Sequence, residues 1–251
     1  MTQNEKTELA NLFNEKLAPL SLKERLNFIV CKYSKTVFTT SLGLEDQVIT
    51  DAIARTPKSI EIITLQTGRL FPEVLELIKT TKKRYGVDIK EFTPNEKSLD
   101  KYIGKYGNNG FYESLELRKK CCFVRKVEPL ERALKNADAW ITGLRATQSN
   151  NRQDIVFAKY DADFDLMKFN PLADFTSEMI LQIVEENQIP INPLHKKGYP
   201  SIGCEPCTRA IRVGEEQRAG RWWWEQESDG KKECGLHVSQ ANILSASVLS
   251  V

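Results

Sequence analysis

The sequence predicts an α/β fold in which a mostly parallel sheet is flanked by helices, a Rossmann-like arrangement. Short runs rich in β-branched and aromatic residues alternate with longer segments whose apolar residues recur at helical spacing, as in successive β-α-β units. A chain of 251 residues, 41% of them hydrophobic and 28% charged, is long enough to bury such a core in one or two domains. These proportions exclude a disordered, collagen-like or coiled-coil chain.

The individual elements follow from local patterns. Four apolar, β-rich segments are predicted as strands: residues 36–40, 60–65, 87–92 and 139–142. Apolar residues at helical spacing predict one helix that starts near Leu22 and another around Val48. Pro72 stands where a helix favours proline, in its first turn. Two further helices are centred on Leu130 and Ile180.

Composition divides the chain into three parts. Residues 1–35 form an N-terminal helical segment, and residues 36–190 form the α/β domain, which we expect to bind a nucleotide. From residue 191 onward, frequent proline and glycine break any long element. Residues 191–251 are therefore predicted as a loop-rich C-terminal extension that carries function.

The net charge and the N-terminal sequence limit the expected binding partners and the expected cellular location. The formal net charge of +2 gives no reason to expect nucleic-acid binding. The first eight residues alternate in charge without an apolar stretch, and no apolar run approaches the roughly 18 residues of a membrane span. We therefore expect a cytoplasmic protein with no membrane partner, whose six cysteines are ligands, nucleophiles or core residues rather than disulfides.

Three loops follow predicted strands and share glycine, hydroxyl and arginine residues. Small residues allow backbone amides to approach an anion, and a helix N-terminus adds a partial positive charge. Loops at the carboxyl ends of parallel strands are also where an open α/β sheet binds its ligand. This content suits a nucleotide with a charged tail. The residues concerned are Ser41, Gly43, Thr67, Gly68, Arg69, Gly143 and Arg152.

Two cysteine pairs form the sharper signal. The spacing of Cys204 and Cys207 lets two thiolates meet at one metal site or close a redox disulfide. Cys121 and Cys122 are adjacent, so their side chains diverge and suit a large polynuclear site better than one zinc ion. Four thiolates are the usual complement of an iron-sulfur cluster.

The other two cysteines differ in context. Cys234 stands in a polar, glycine-containing segment near basic groups, where a thiol can act as a nucleophile or remain inert. Cys31 is predicted on the apolar side of its helix, in the core.

The C-terminal extension also carries cations and a tryptophan run. Arg218 and Arg221 would share a helical face and could grip a phosphate or sulfate, although a solvated basic face is the alternative. The run Trp222, Trp223 and Trp224 is predicted to dock the extension onto the domain.

Four motifs together closely resemble the assimilatory adenosine 5'-phosphosulfate (APS) reductases of bacteria and plants, within the family of APS and 3'-phosphoadenosine 5'-phosphosulfate (PAPS) reductases. The resemblance runs from about residue 38 to residue 237. It rests on CCFVRKVEPL from residue 121, GYPSIGCEPCTR from 198, GRWWWE from 220 and ECGLH from 233.

The resemblance implies a fold like that of the adenine nucleotide α-hydrolases. It also implies one four-iron, four-sulfur cluster, with Cys121, Cys122, Cys204 and Cys207 as its ligands. Cys234 would attack the sulfur of APS, AMP would leave, and a thioredoxin or glutaredoxin-like reductant would release sulfite from the cysteine S-sulfonate. Residues after about Trp224 would then move during turnover, and a homo-oligomer is compatible with the sequence.

Cationic residues could neutralise the phosphosulfate and the incoming thiolate, which repel one another. The candidates are Lys126, Arg152, Arg218, Arg221 and His237. One residue departs from the family pattern: Gln66 stands where relatives usually carry aspartate, so a role that needs a carboxylate there is in doubt.

Two other functions remain open from the sequence. A PAPS reductase, or an enzyme that uses both nucleotides, would share the fold and the terminal cysteine, although PAPS reductases generally lack the two cysteine pairs. A protein of another class would bind zinc with the four cysteines and have no catalytic activity.

Overall fold

A single mixed sheet organises the molecule. The computed structural model describes residues 1–56, 60–148, 152–225 and 236. Their strands are β1 Thr36–Thr40, β2 Glu61–Leu65, β3 Ile89–Phe92, β4 Ala139–Ile141, β5 Ala158–Asp161 and β6 Leu166–Phe169. The strand order is β3-β2-β1-β4-β6-β5, and every neighbouring pair is parallel except β5 with β6. The predicted fold class is therefore confirmed.

Helices cover both faces of this sheet. They are α1 Gln3–Leu17, α2 Leu22–Lys32, α3 Leu44–Ala54, α4 Pro72–Tyr85, α5 Glu96–Tyr106, α6 Leu115–Cys122, α7 Glu128–Leu134 and α8 Ser177–Glu186. Local chemistry fixes their ends: Thr2 and Ser21 form capping boxes with Glu5 and Glu24, and α4 stops at Gly86 in the left-handed conformation. No helix within the described ranges is both long and apolar enough to cross a bilayer.

The alternation of side chains along the strands produces two cores. Phe38 and Ile141 point to the face that α1, α2, α3 and α8 cover, in a cluster that includes Phe13, Ile29 and Ile180. On the opposite face, a smaller cluster packs beneath α7. Its buried members are Val37, Ile63, Leu130, Leu134, Trp140 and Leu166.

Four predicted strands and five predicted helices are present, with small differences at their ends. The sequence analysis did not identify β5 and β6, which are four residues each and form the antiparallel edge of the sheet. It also did not identify α5 or α6. Beyond residue 187 the described chain is loop-rich, with 3₁₀ helices only at Pro193–Lys197 and Glu205–Cys207.

The placement of Cys31 was wrong. The buried face of α2 consists of Arg25, Leu26, Ile29 and Val30, and the next residue turns about 100° away from that face. Cys31 is consequently exposed rather than part of the core.

Arg25 joins the N-terminal helices to the loop between β6 and α8. Its guanidinium is buried and donates to the carbonyls of Leu17 (3.0 Å), Ala18 (3.1 Å) and Pro171 (2.8 Å). It also forms a two-pronged ion pair with Asp174, at 2.6 and 2.8 Å. One side chain thus satisfies three carbonyls and one carboxylate.

We predict that Arg25→Met, which keeps the length of the side chain but removes every donor, lowers the free energy of unfolding by about 2–4 kcal/mol. Denaturant unfolding measures the change. Lys79→Met is the control, because Lys79 forms an ion pair in which both side chains are largely exposed. Equal stability of the two variants would contradict the role given to Arg25.

Candidate active site

A pocket lies where the order of the strands reverses. The chain proceeds from β1 to β2 and β3 on one side, then returns to β4 on the other side of β1. At such a reversal the carboxyl edge of an open α/β sheet forms a crevice. The pocket in this crevice is lined by residues of the β1, β2 and β4 loops, of α7 and of the C-terminal extension.

The loop after β1 forms a tight turn in front of α3. Leu42 adopts a left-handed conformation (φ 59°) although it is not glycine, and its amide donates to the Thr40 hydroxyl at 3.0 Å. Gly43 is the N-cap of α3, so the positive end of the helix faces the pocket. Such strained backbone is typical of ligand-binding turns.

Asp46 fixes the geometry of this loop. Its carboxylate accepts hydrogen bonds from the Ser41 amide (2.6 Å) and the Ser41 hydroxyl (2.7 Å). Burial raises the pKa of Asp46 to about 6, although the bonds from Ser41 oppose the shift. A side chain at Gly143 would place its Cβ only 2.1 Å from Asp46 Oδ1, so the β1 and β4 loops can meet only because residue 143 is glycine.

The neighbouring carboxylate is neutralised within the site. Glu45 forms an ion pair with Arg145 of the β4 loop at 2.7 Å, and both side chains are largely buried. Arg145 also donates to the Ser177 hydroxyl at 3.1 Å, which connects the loop to α8. The helix N-terminus thus keeps its attraction for an anion, because its acidic residues already have partners.

The loop after β2 connects the pocket to the cysteines. Arg125 donates to the Thr67 carbonyl at 2.7 Å, and the Cys204 thiol donates to the Thr67 hydroxyl at 3.4 Å. Gly68 is in the left-handed region (φ 71°), and its amide donates to the side-chain oxygen of Gln66 at 3.2 Å. The amide oxygen of Gln66 therefore closes this turn.

The four paired cysteines lie around one small pocket. All four are buried, with 7–9% of each residue exposed. Three of them, Cys121, Cys204 and Cys207, pack in one cluster with aromatic side chains that include Phe111 and Trp222. Cys121 and Cys122 end α6, and the chain then widens into a π-helical turn, Phe123–Val127, before α7 begins. Both adjacent cysteines border the pocket at this widened turn, a feature frequently found at functional sites.

Cations surround the cysteines. Arg118, Arg125, Lys126 and Arg221 all line the cysteine pocket. Burial raises the pKa of Cys207 to about 12. Burial acts in the same direction on Cys204, but Lys126, Thr67 and the arginines outweigh it and lower the pKa of that thiol.

The donor set fits an anionic metal-sulfur group. Four sulfur donors and a ring of cations provide ligands and charge compensation for a thiolate-bound iron-sulfur cluster. Within the described ranges, no three or more Cys, His, Asp or Glu side chains are arranged around a single metal ion. The four thiols border a shared pocket instead.

An internal ion pair closes the cysteine pocket on one side. Arg118 and Glu225 are both buried and pair through two contacts, one of them between Nη2 and Oε2 at 3.2 Å. The ring of Trp222 lies against the guanidiniums of Arg118 and Arg221, with centroid distances of 4.4 and 4.6 Å. Of the tryptophan run, Trp222 is 1% exposed and Trp224 packs against the same cluster, so these two dock the extension, whereas Trp223 is 40% exposed.

Lys126 and Arg221 line both the crevice and the cysteine pocket. Arg221 reaches this position because Gly203 has no side chain: a Cβ there would lie 2.2 Å from Arg221 Nη2. The two pockets therefore share their cations.

Most of the residues predicted to bind substrate come together in the crevice. Those that line it are Ser41, Gly43, Thr67, Lys126, Gly143, Arg152, Arg218 and Arg221. Arg69 lies at the cysteine pocket instead, where it donates to Asn109 at 2.9 Å. Gly68 borders Arg125. Cys234 and His237 lie outside the described residues.

The sequence shows Arg118 and Arg125 as basic neighbours of the first cysteine pair, but sequence reasoning assigned them no contact there, and it gave Asp46 no role. Arg118 and Arg125 each stand four residues from a cysteine of the pair, a helical spacing that could have placed them on the cysteine face. Asp46 had no such signal, because its role depends on the close approach of Gly143 from a loop about 100 residues away.

A family model and the similar proteins of known name indicate the same family for this chain. A model of the phosphoadenosine phosphosulfate reductase domain matches residues 35–210. The adenosine 5'-phosphosulfate reductase of Agrobacterium fabrum is 56% identical over 225 residues, which cover 90% of this chain and 86% of the relative. The enzyme of that name from Allochromatium vinosum is 49% identical over 214 residues, with coverage of 85% and 83%.

Solved structures agree at the level of the fold. The phosphate complex of phosphoadenylyl-sulfate reductase from Candida auris aligns with a TM-score of 0.71 and 26% identity, over 84% of this chain and 98% of that one. The FMN adenylyltransferase of Candida glabrata aligns with a TM-score of 0.52 and 14% identity, over 99% and 93%, and shares the fold alone. The chain belongs to the phosphoadenosine phosphosulfate reductase domain family, and it is similar over most of its length to adenosine 5'-phosphosulfate reductases.

Proposed function

We propose that this chain reduces adenosine 5'-phosphosulfate to sulfite and AMP in sulfate assimilation, with electrons from a thioredoxin-like dithiol. The observation that carries the proposal is the pair of cations, Lys126 and Arg221, that line both the crevice of an α/β sheet and a pocket of four buried cysteines. The relatives at 49–56% identity bear the name of this activity.

Substrate binding follows from the geometry of the crevice. The turn at Ser41 and Gly43 and the N-terminus of α3 offer backbone amides to an anionic part of the nucleotide. The phosphosulfate end would lie toward Lys126, Arg152, Arg218 and Arg221, whose charges offset the anion and the developing charge on the leaving AMP. We assign His237 to the same end of the substrate.

The chemical step is a displacement at sulfur. The Cys234 thiolate attacks the sulfur atom of the sulfate group and forms an S–S bond, while the bond from sulfur to the bridging phosphate oxygen breaks. AMP leaves with that electron pair, and the enzyme retains a cysteine S-sulfonate.

Reduction takes place in the second half of the reaction. One thiolate of the dithiol attacks Cys234 Sγ, and sulfite departs with the electron pair of the S–S bond. The second thiol of the reductant resolves the mixed disulfide, so the dithiol is oxidised to a disulfide and the Cys234 thiol returns. The sulfur of the substrate gains two electrons in all. A cytoplasmic setting, which keeps thiols reduced, suits this chemistry.

We assign Cys121, Cys122, Cys204 and Cys207 as the ligands of one four-iron, four-sulfur cluster. When bound, the cluster supplies a fixed negative charge that orients the cation of Lys126. Arg118 and Arg125 balance the thiolates from the protein side, and Thr67 connects Cys204 to the β2 loop.

The choice of nucleotide is the first test. With thioredoxin as donor, we expect kcat/KM for APS to exceed that for PAPS by at least about 100-fold, roughly 2.7 kcal/mol of transition-state preference. Sulfite release measures both rates. A preference for PAPS would overturn the assignment, and the Candida auris match makes that enzyme the natural reference.

Metal content tests the cysteine assignment. Protein purified without oxygen should contain iron and acid-labile sulfide in equal amounts, about four of each per chain. Cys207→Ser should lose most of both, whereas Cys31→Ser, the control at an exposed cysteine, should lose neither. Colourless wild-type protein with one zinc ion would refute the cluster.

The close approach of Gly143 to Asp46 predicts a third result. Gly143→Ala should weaken AMP binding about tenfold, because the new methyl group pushes the β4 loop away from the β1 loop. Isothermal titration measures the affinity. Gly104→Ala is the control, since a Cβ at this glycine in α5 meets no atom within 4 Å. Equal affinities for the two variants would contradict the crevice as the nucleotide site.

A further inference from the structure

Leu236 occupies an apolar socket in the wall of the crevice. It is half-buried and packs against the cluster beneath α7. It also lines the crevice itself, alongside Leu65, Leu130 and Trp140, which belong to or pack against that cluster. We call these three residues the leucine socket. Leu236 is thus an apolar side chain in a pocket that cationic side chains also line.

The leucine socket is held firmly by its surroundings. The indole Nε1 of Trp140 donates to the Thr39 hydroxyl at 2.9 Å, and the ring packs edge-on against Phe164 with centroids 5.3 Å apart. The ammonium of Lys168 lies 4.1 Å from the centroid of the Trp140 ring. Leu130 is 1% exposed in α7. A rigid apolar surface of this kind can fix the position of a side chain that packs on it.

Leu236 is close in sequence to the proposed nucleophile. The residue follows Cys234 by two positions and immediately precedes His237. Chain connectivity limits the distance between Cα atoms two residues apart to about 7 Å. Because the two residues are covalently close, a contact made by residue 236 can influence a reaction of residue 234.

We propose that Leu236 is a positioning residue, which anchors the segment carrying the nucleophile by packing in the leucine socket. This inference rests on the proposed function, because it requires Cys234 to react. The contact is apolar, so it holds the segment without adding charge to a site that must accommodate two anions. Proximity of this kind acts on the rate of attack rather than on the affinity for the nucleotide.

The test separates these two effects in the holoenzyme. Leu236→Ala should slow formation of the Cys234 S-sulfonate about tenfold at saturating APS without reductant, since lost packing of about 1.4 kcal/mol corresponds to that factor. The affinity for AMP and the visible spectrum of the cluster should stay as in the wild type. Leu236→Met should restore most of the rate, because it replaces the apolar volume. Leu249→Ala is the matched control outside the motif and should react as the wild type does.

A double-mutant cycle with Leu65→Ala tests the socket itself. If the two leucines act through one contact, the second substitution should slow the reaction little once the first is present. Additive losses would overturn the proposal, as would a wild-type rate in Leu236→Ala. If Leu236→Ala loses its cluster, the rate of S-sulfonate formation is measured in Leu236→Val instead. We expect an intermediate rate, and a wild-type rate would contradict the role given to Leu236. A wild type that forms no S-sulfonate would refute the proposed function instead.

Discussion

The proposed function requires two negatively charged groups to lie side by side, and two shared cations allow this arrangement. Lys126 and Arg221 border both the crevice and the cysteine pocket. Without them, thiolates in the one and a phosphosulfate in the other would repel each other. Glycine at position 203 and the ring of Trp222 hold Arg221 in this place, and the π-helical turn carries Lys126.

The sheet supplies the fixed frame for these charges. The reversal of strand order between β1 and β4 opens the crevice, and the left-handed Leu42 with the buried Asp46 shapes the loop at its floor. Strain at Leu42 costs about 1–3 kcal/mol, which the surrounding packing must offset. The C-terminal extension then adds the second cysteine pair and Arg221 through irregular backbone, so the fold provides the crevice and the extension provides much of the chemistry.

The sequence was most informative where a single pattern determined the outcome. β1 was predicted with its observed ends, because Thr36–Thr40 is a compact β-branched run before a glycine-containing turn. The cysteine pairs and the cations around them were also visible, since residue type and spacing carry that information. The short edge strand β5 was not predicted, because its four residues show little β propensity and an acidic turn follows them.

Long-range contacts could not be predicted in this way. The buried pair of Arg118 and Glu225 joins residues 107 positions apart, and nothing local marks either as a partner of the other. The position of Asp46 against Gly143 likewise exists only once two loops have met. Cys31 shows the converse limit, because it lies one position past the buried stripe of its helix and is exposed. Tertiary packing determines which of these residues are buried or in contact, and the local periodicity of the sequence carries no information about that packing.

The central claim is that a single cysteine in the C-terminal extension takes the sulfonate from APS. Trypsin releases residues 233–251 as one peptide, because no Lys or Arg follows Lys232, and Cys234 is its only cysteine. Mass spectrometry of this peptide, after the holoenzyme reacts with APS in the absence of reductant, tests the claim directly. The account predicts a mass increase of one SO₃ group on this peptide and an equal amount of free AMP. Release of AMP with the group on another cysteine, or with no covalent adduct, would contradict it.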